Sequence, residues 1–164
     1  MIHPTSDVKS QDIGNNTSIW QFVVVMEGAK LGANCNVGSH TFIEGKVIIG
    51  DQVTIKNGVL IFDGVVIEDD CFIGPGVVFT NDIYPMSNRL GEISEDFQPI
   101  VVGRGASVGA NSTIRAGVSI GEYSLIGAGA VVTKDVPSFS LVVGSPAEIV
   151  GKVDEKGNVI ERFK

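Results

Sequence analysis

Histidine is nearly absent from this chain: His3 and His40 are the only two. That shortage excludes a three-histidine metal centre, and no metal site is expected. Basic residues are scarce as well, twelve lysines and arginines against nineteen acids, for a net charge of −7. Nucleic acid is therefore an unsuitable partner, since no basic stripe is available to release its counterions. A phosphorylated small molecule is not excluded, because a few local cations can make one positive pocket on an acidic body. No run is long and apolar enough to cross a membrane. The N-terminus lacks a basic segment leading into an apolar one, so the expectation is a cytoplasmic protein without membrane insertion. Cysteine is limited to Cys35 and Cys71, which read as small core residues in a reducing compartment.

What is abundant is a beat of six. An aliphatic residue recurs at Ile13, Ile19, Val25, Leu31, Val37, Ile43, Ile49, Ile55, Ile61, Ile67 and Ile73, with Phe79 next. The beat fails once and resumes at Val102, Val108, Ile114, Ile120, Ile126 and Val132. Six is neither the helical period nor simple strand alternation, so the pattern describes a coil of short strands. With the aliphatic position called i, position i+4 is small or β-branched throughout, as at Ala29, Cys35, Val53, Ala106 and Ala130. One large and one small inward residue per hexad suit a three-walled prism, eighteen residues to the turn. Equivalent positions then stack about 4.8 Å apart. Gly, Asn and Asp gather at i+1 to i+3, where corners need tolerance of positive φ. The reading is an all-β, single domain over 1–164, a parallel β-helix of about six coils. Its coils cover about 13–81 and 102–137, with a loop at 82–101 and a C-terminal cap over 138–164.

The two departures from the beat are the candidate functional segments. A long excursion spans 81–100, and loops of this length in a compact repeat are usually functional. It gathers Asn81, Asp82, Tyr84 and Arg89 near its start. After Val132 the beat stops, Gly144-Ser145-Pro146-Ala147 makes a turn, and Glu148 to Val153 can pair with Asn158 to Phe163 as a hairpin. Such a hairpin would cap the open end of the solenoid.

The whole chain resembles the hexapeptide-repeat acyltransferases. IGAGAVVTKDVP followed by VVGSPAEIVG is similar to the segment that lines the acetyl-coenzyme A site in that superfamily. IHPTSDV, IGNNTSIW, VTIKNGV, GVVIEDDCFIGPGVVFTND and VGANSTIRAGVSIG resemble the bacterial N-acetyltransferases of nucleotide-linked 3-amino sugars. The resemblance implies a left-handed β-helix, a homotrimer with sites between adjacent subunits, and a role in surface (lipopolysaccharide) polysaccharide biosynthesis. It implies acetyl-CoA as co-substrate and a dTDP- or UDP-linked amino-deoxy sugar as acceptor. Carried over, Asn81 stands beside the acceptor amine, with Asp82 as the second catalytic candidate. Tyr84, Arg89, Asn57 and His40 fall on the sugar side. Gly109, Ala110, Gly127 and Ala128 line the pantetheine arm, Lys134 approaches the coenzyme phosphates, and Ser145, Pro146 and Lys152 fall toward its adenine end. This chain departs from the family at Met86, where an arginine is common, and at Ser39-His40, where Gln-Asn is usual.

The chemistry implied is attack of a sugar amine on a thioester. An amine that is partly neutral is already nucleophilic, so placement can supply much of the rate without a strong base. Asn81 can accept a hydrogen bond from the amine, backbone N–H groups can hold the oxyanion, and Asp82 is either a conventional base or a turn residue. A sugar O-acetyltransferase of the same fold is the alternative; a hydroxyl must lose its proton during attack, and histidines to take it are few. A non-catalytic scaffold would have no use for the Asn81 loop and the GSPA end together.

Overall fold

The computed structural model describes residues 1–87 and 97–163. Among them the regular structure is all strand, and nearly every strand is two residues long. Three parallel walls form. Wall I stacks Asp7–Val8, Val24–Val25, Phe42–Ile43, Leu60–Ile61, Val78–Phe79, Thr113–Ile114 and Val131–Val132. Wall II stacks Asp12–Ile13, Lys30–Leu31, Ile48–Ile49, Val65–Ile67, Ile100–Val102 and Ser119–Ile120. Wall III runs from Ser18–Ile19 through Asn36–Val37, Thr54–Ile55, Phe72–Ile73 and Ser107–Val108 to Leu125–Ile126. The chain visits I, II and III in turn, and residues eighteen apart pair in register, as Leu60 does with Val78. The arrangement is a parallel β-solenoid of about seven turns, consistent with a left-handed β-helix of hexapeptide repeats. Asp7–Val8 joins wall I through a corner one residue shorter than the beat, because Val8 pairs with Val25.

Every aliphatic i residue from Ile19 onward is buried, as are the i+4 residues. Each large side chain so placed contributes about 1.5–3 kcal/mol. Cys35 and Cys71 are buried and unpaired, and burial pushes the Cys71 thiol up to about 12.

The corners refine the expectation about positive φ. Where a corner of the coil has a left-handed residue it is the third, as at Phe22, His40, Asn111 and Gly129. The glycines at i+1 answer a different need. A Cβ on Gly38 would meet the Asn57 backbone nitrogen at 2.7 Å, and one on Gly109 the Ala128 nitrogen at 2.5 Å. They are glycine because successive coils touch there.

At the C-terminal end, Ser140–Gly144 continues wall III on Leu125–Ile126. Ala147–Val153 then turns back antiparallel, and Val159–Arg162 pairs with it. This is the expected hairpin, and it extends the sheet of wall III past the last coil.

Candidate active site

Each corner is a column of residues running along the prism, and the expected site residues fall on two of these columns. The corner between walls III and I carries, coil by coil, Trp20-Gln21-Phe22, Gly38-Ser39-His40, Lys56-Asn57-Gly58, Gly74-Pro75-Gly76, Gly109-Ala110-Asn111 and Gly127-Ala128-Gly129. Asn57, His40, Gly109, Ala110, Gly127 and Ala128 therefore share one edge. The Gly127 N–H donates to the Val142 carbonyl at 2.8 Å, so Val143 and the Gly144–Ala147 turn follow on the same edge. Ser145 and Pro146, joined by a cis peptide bond, complete the column.

This edge is built for close approach. In two coils of the corner between walls II and III the second residue's N–H is taken by a side chain of the next coil: Asp51 Oδ1 accepts from Ala33 at 2.7 Å, and Asp69 Oδ1 accepts from Asp51 at 2.8 Å. At the III–I edge, Ala110 and Ala128 occupy the equivalent positions. Among the described residues no group accepts from their N–H. Glycine before each alanine keeps the strip free of side chains. An edge of this kind offers backbone donors to an extended amide-bearing arm or to a thioester oxygen.

The corner between walls I and II carries the other group. The excursion leaves after Phe79 and returns at Ile100. Its neck is closed by the Gln98 N–H donating to the Asn81 carbonyl at 3.2 Å and by an antiparallel bridge from Asp82 to Phe97. Asn81 is half-buried, and its carboxamide has no partner among the described residues. Asp82 differs: its Oδ1 accepts from the Tyr84 N–H at 2.8 Å, the geometry of an Asx-turn. Tyr84 is exposed. Arg89 lies outside the described residues. Lys134 stands exposed on this same corner, near the C-terminal end of the column.

Asn81 and Lys134 are thus separated from the Ala110–Ala128 edge by the width of wall I. Lys152 is also apart. It sits in the hairpin opposite Ser140, with its ammonium 3.0 Å from Glu161 and over the Phe163 ring. His40 is exposed, and its ring packs on Phe22 with centroids 5.1 Å apart.

The edge also holds residues that the six-residue reading passed over. Trp20 and Lys56 occupy i+1 where the other coils of this corner have glycine. With Gln21, Gly38, Ser39 and Asn57 they line a groove of about 310 Å³. Their departure from glycine at i+1 is the signal that marks them in the sequence.

The family model described as bacterial transferase hexapeptide (six repeats) matches residues 12–45 and 99–134, and the hexapeptide repeat of succinyl-transferase matches 64–80. The chain is 51% identical over 152 residues to dTDP-3-amino-3,6-dideoxy-α-D-galactopyranose 3-N-acetyltransferase of Aneurinibacillus thermoaerophilus, covering 93% of this chain and 78% of that one. A hexapeptide-repeat acetyltransferase of Vibrio cholerae, solved with acetyl coenzyme A, is 29% identical with a TM-score of 0.60, covering 72% of this chain and 70% of that one. PerB of Caulobacter crescentus, solved with CoA and GDP-perosamine, shares the fold at 22% identity and a TM-score of 0.60. The match to PerB covers 92% of this chain, which spans 56% of PerB's length.

Proposed function

We propose that this chain, which belongs to the hexapeptide-repeat acyltransferase family, moves an acetyl group from acetyl-CoA to the 3-amine of a nucleotide-linked amino-deoxy sugar. The observation that carries this reading is the 51% identity, over most of both chains, to an enzyme named for that reaction on a dTDP-linked sugar. The glycine–alanine edge supports it physically, because its open backbone donors suit the amides of a pantetheine arm. Gly109, Ala110, Gly127, Ala128, Ser145 and Pro146 would hold the coenzyme along that edge.

The acceptor amine, neutral in part at working pH, attacks the thioester carbonyl. Asn81, whose carboxamide has no partner among the described residues, would accept a hydrogen bond from the amine and aim its lone pair. The Ala110 and Ala128 N–H groups are candidates to stabilise the oxyanion of the tetrahedral intermediate. Collapse of that intermediate breaks the carbon–sulfur bond, and the proton lost by the amine goes to the thiolate or to water. Asp82 serves the turn.

Asn81 and the coenzyme edge lie on different corners of one chain, so a complete site needs a second copy. A homotrimer supplies it. The outward side chains of wall I support this assembly: beyond Asp7 of its first strand, Val24, Phe42, Leu60, Val78 and Val131 form an apolar stripe interrupted by Thr113. Among the described residues, no helix is long and apolar enough to cross a membrane. A cytoplasmic site of action fits both co-substrates, and the product would feed surface polysaccharide assembly. Offering the 3-amino sugar and its 3-hydroxy counterpart in parallel with acetyl-CoA tests the reading: amide product from the amine alone supports it, and ester from the hydroxyl at a similar rate overturns it.

A further inference from the structure

We propose that the groove between Trp20 and Lys56 holds the base and diphosphate of the nucleotide-linked acceptor. This rests on the function proposed above and deepens it by assigning the nucleotide end of the substrate. Trp20 and Lys56 lie two coils apart on one edge, about 10 Å, with Gly38 between them. Glycine there is enforced by the coil contact with Asn57, and it leaves the floor of the groove bare. On one side stands an indole that is 39% exposed. Its Nε1–H donates to Asn36 Oδ1 at 2.7 Å, so the ring is pinned and its face is presented at little entropic cost. On the other side stands an exposed lysine with no carboxylate partner among the described residues. Asn57, whose Nδ2 donates to Ser39 Oγ at 3.0 Å, and Gln21 add amide groups to the rim.

An indole and an exposed lysine lining one groove with a bare glycine floor suit a nucleobase and its phosphates. Bases stack on aromatic faces whatever their identity, and an ammonium is a natural phosphate contact. On a chain with net charge −7, a groove lysine without a carboxylate partner among the described residues favours an anionic ligand. Coenzyme A also carries a base and a diphosphate, but position separates the two. Gly38 is four coils, about 19 Å, from the Gly127–Ala128 end of the edge and further from Ser145. Three coils, about 14 Å, separate it from Ala110, a span that a nucleotide diphosphate sugar laid along the edge can bridge.

Trp20 is the single tryptophan, so its emission reports this groove alone. The full-length protein is titrated with dTDP, with UDP and with coenzyme A while that emission is followed. Saturable quenching by a nucleoside diphosphate, and none by coenzyme A, is the expected result. Lys56→Gln, with the reporter intact, is expected to weaken that nucleotide about tenfold. It should raise KM for the amino-sugar substrate by a similar factor and leave KM for acetyl-CoA unchanged. Quenching by coenzyme A in place of the nucleotide, nucleotide binding by calorimetry with silent emission, or an unaltered affinity in Lys56→Gln overturns the assignment. Turnover of an amino sugar with silent Trp20 emission sinks the groove and spares the function. Failure to acetylate any amino sugar sinks the function itself.

Discussion

The carboxylate of Asp82 accepts from the backbone N–H of Tyr84 at 2.8 Å, while the carboxamide of neighbouring Asn81 has no partner among the described residues. One residue closes a turn, and the other's amide is left uncommitted among the described residues. Asp82→Asn keeps an oxygen that can accept from Tyr84, so kcat should stay within about twofold. Asn81→Ala should lower kcat about a hundredfold, on the scale of losing one group that orients the reaction, with the oligomer intact. Steady-state kinetics beside light scattering checks both. Loss of activity in Asp82→Asn with full activity in Asn81→Ala would exchange their roles.

Two glycines of the proposed coenzyme edge should both lose stability on substitution by alanine, but for different reasons and with different effects on coenzyme binding. At Gly109 the new Cβ would lie 2.5 Å from the Ala128 nitrogen, so the coils must part, at a cost of about 1–3 kcal/mol. At Gly129 nothing lies within 4 Å, but φ is +70°, and the cost is the left-handed strain of about 1–2 kcal/mol. Gly109→Ala should therefore also weaken acetyl-CoA, by displacing the Ala128 N–H. Gly129→Ala should lose stability with little change in coenzyme affinity. Thermal melts and calorimetry separate the two.

Burial raises both thiols, Cys71 to about 12. The native protein should therefore give no reaction with a disulfide reagent near pH 8, and two thiols after denaturation. The sign for stability follows. A raised thiol favours the folded state below the free value of about 8.5, and that contribution is lost as pH climbs from there toward 12. Denaturant midpoints across pH 8 to 11 should fall, and Cys71→Ala should fall less steeply. A native thiol that reacts at once would contradict the burial of both cysteines.

Leu60 lies at the middle of the apolar stripe on wall I. If wall I is the interface of the proposed trimer, Leu60→Glu should put charge into it, give a monomer and abolish turnover, while circular dichroism keeps its strand signal. A fully active monomer would remove the need for a second copy.

The solenoid was legible because burial imposes its own register. An aliphatic at every sixth position has one economical solution, and Ile19 through Val132 take it. The grouping of site residues was less so. Six-residue spacing assigns Asn57 and His40 to one corner, but the 81–100 excursion breaks the count. Only the pairing of Phe72 with Ser107 and of Val78 with Thr113 carries that corner on to Ala110 and Ala128. The two roles of glycine also look alike in sequence: Gly38 and Gly58 share the alphabet, yet one answers a neighbouring coil and the other a positive φ. Trp20 and Lys56 were readable as exceptions to that glycine rule, although the groove they frame depends on the stacking of three coils. The pairing of Lys152 with Glu161 is set by the hairpin register, which composition does not reveal.

The most direct test is release of free coenzyme A thiol from acetyl-CoA in the presence of dTDP- and UDP-linked 3-amino and 4-amino sugars. The account predicts thiol release that depends on a nucleotide-linked 3-amino sugar and yields its 3-acetamido product. Silence with every 3-amino sugar, while coenzyme A still binds, would contradict the proposed acceptor.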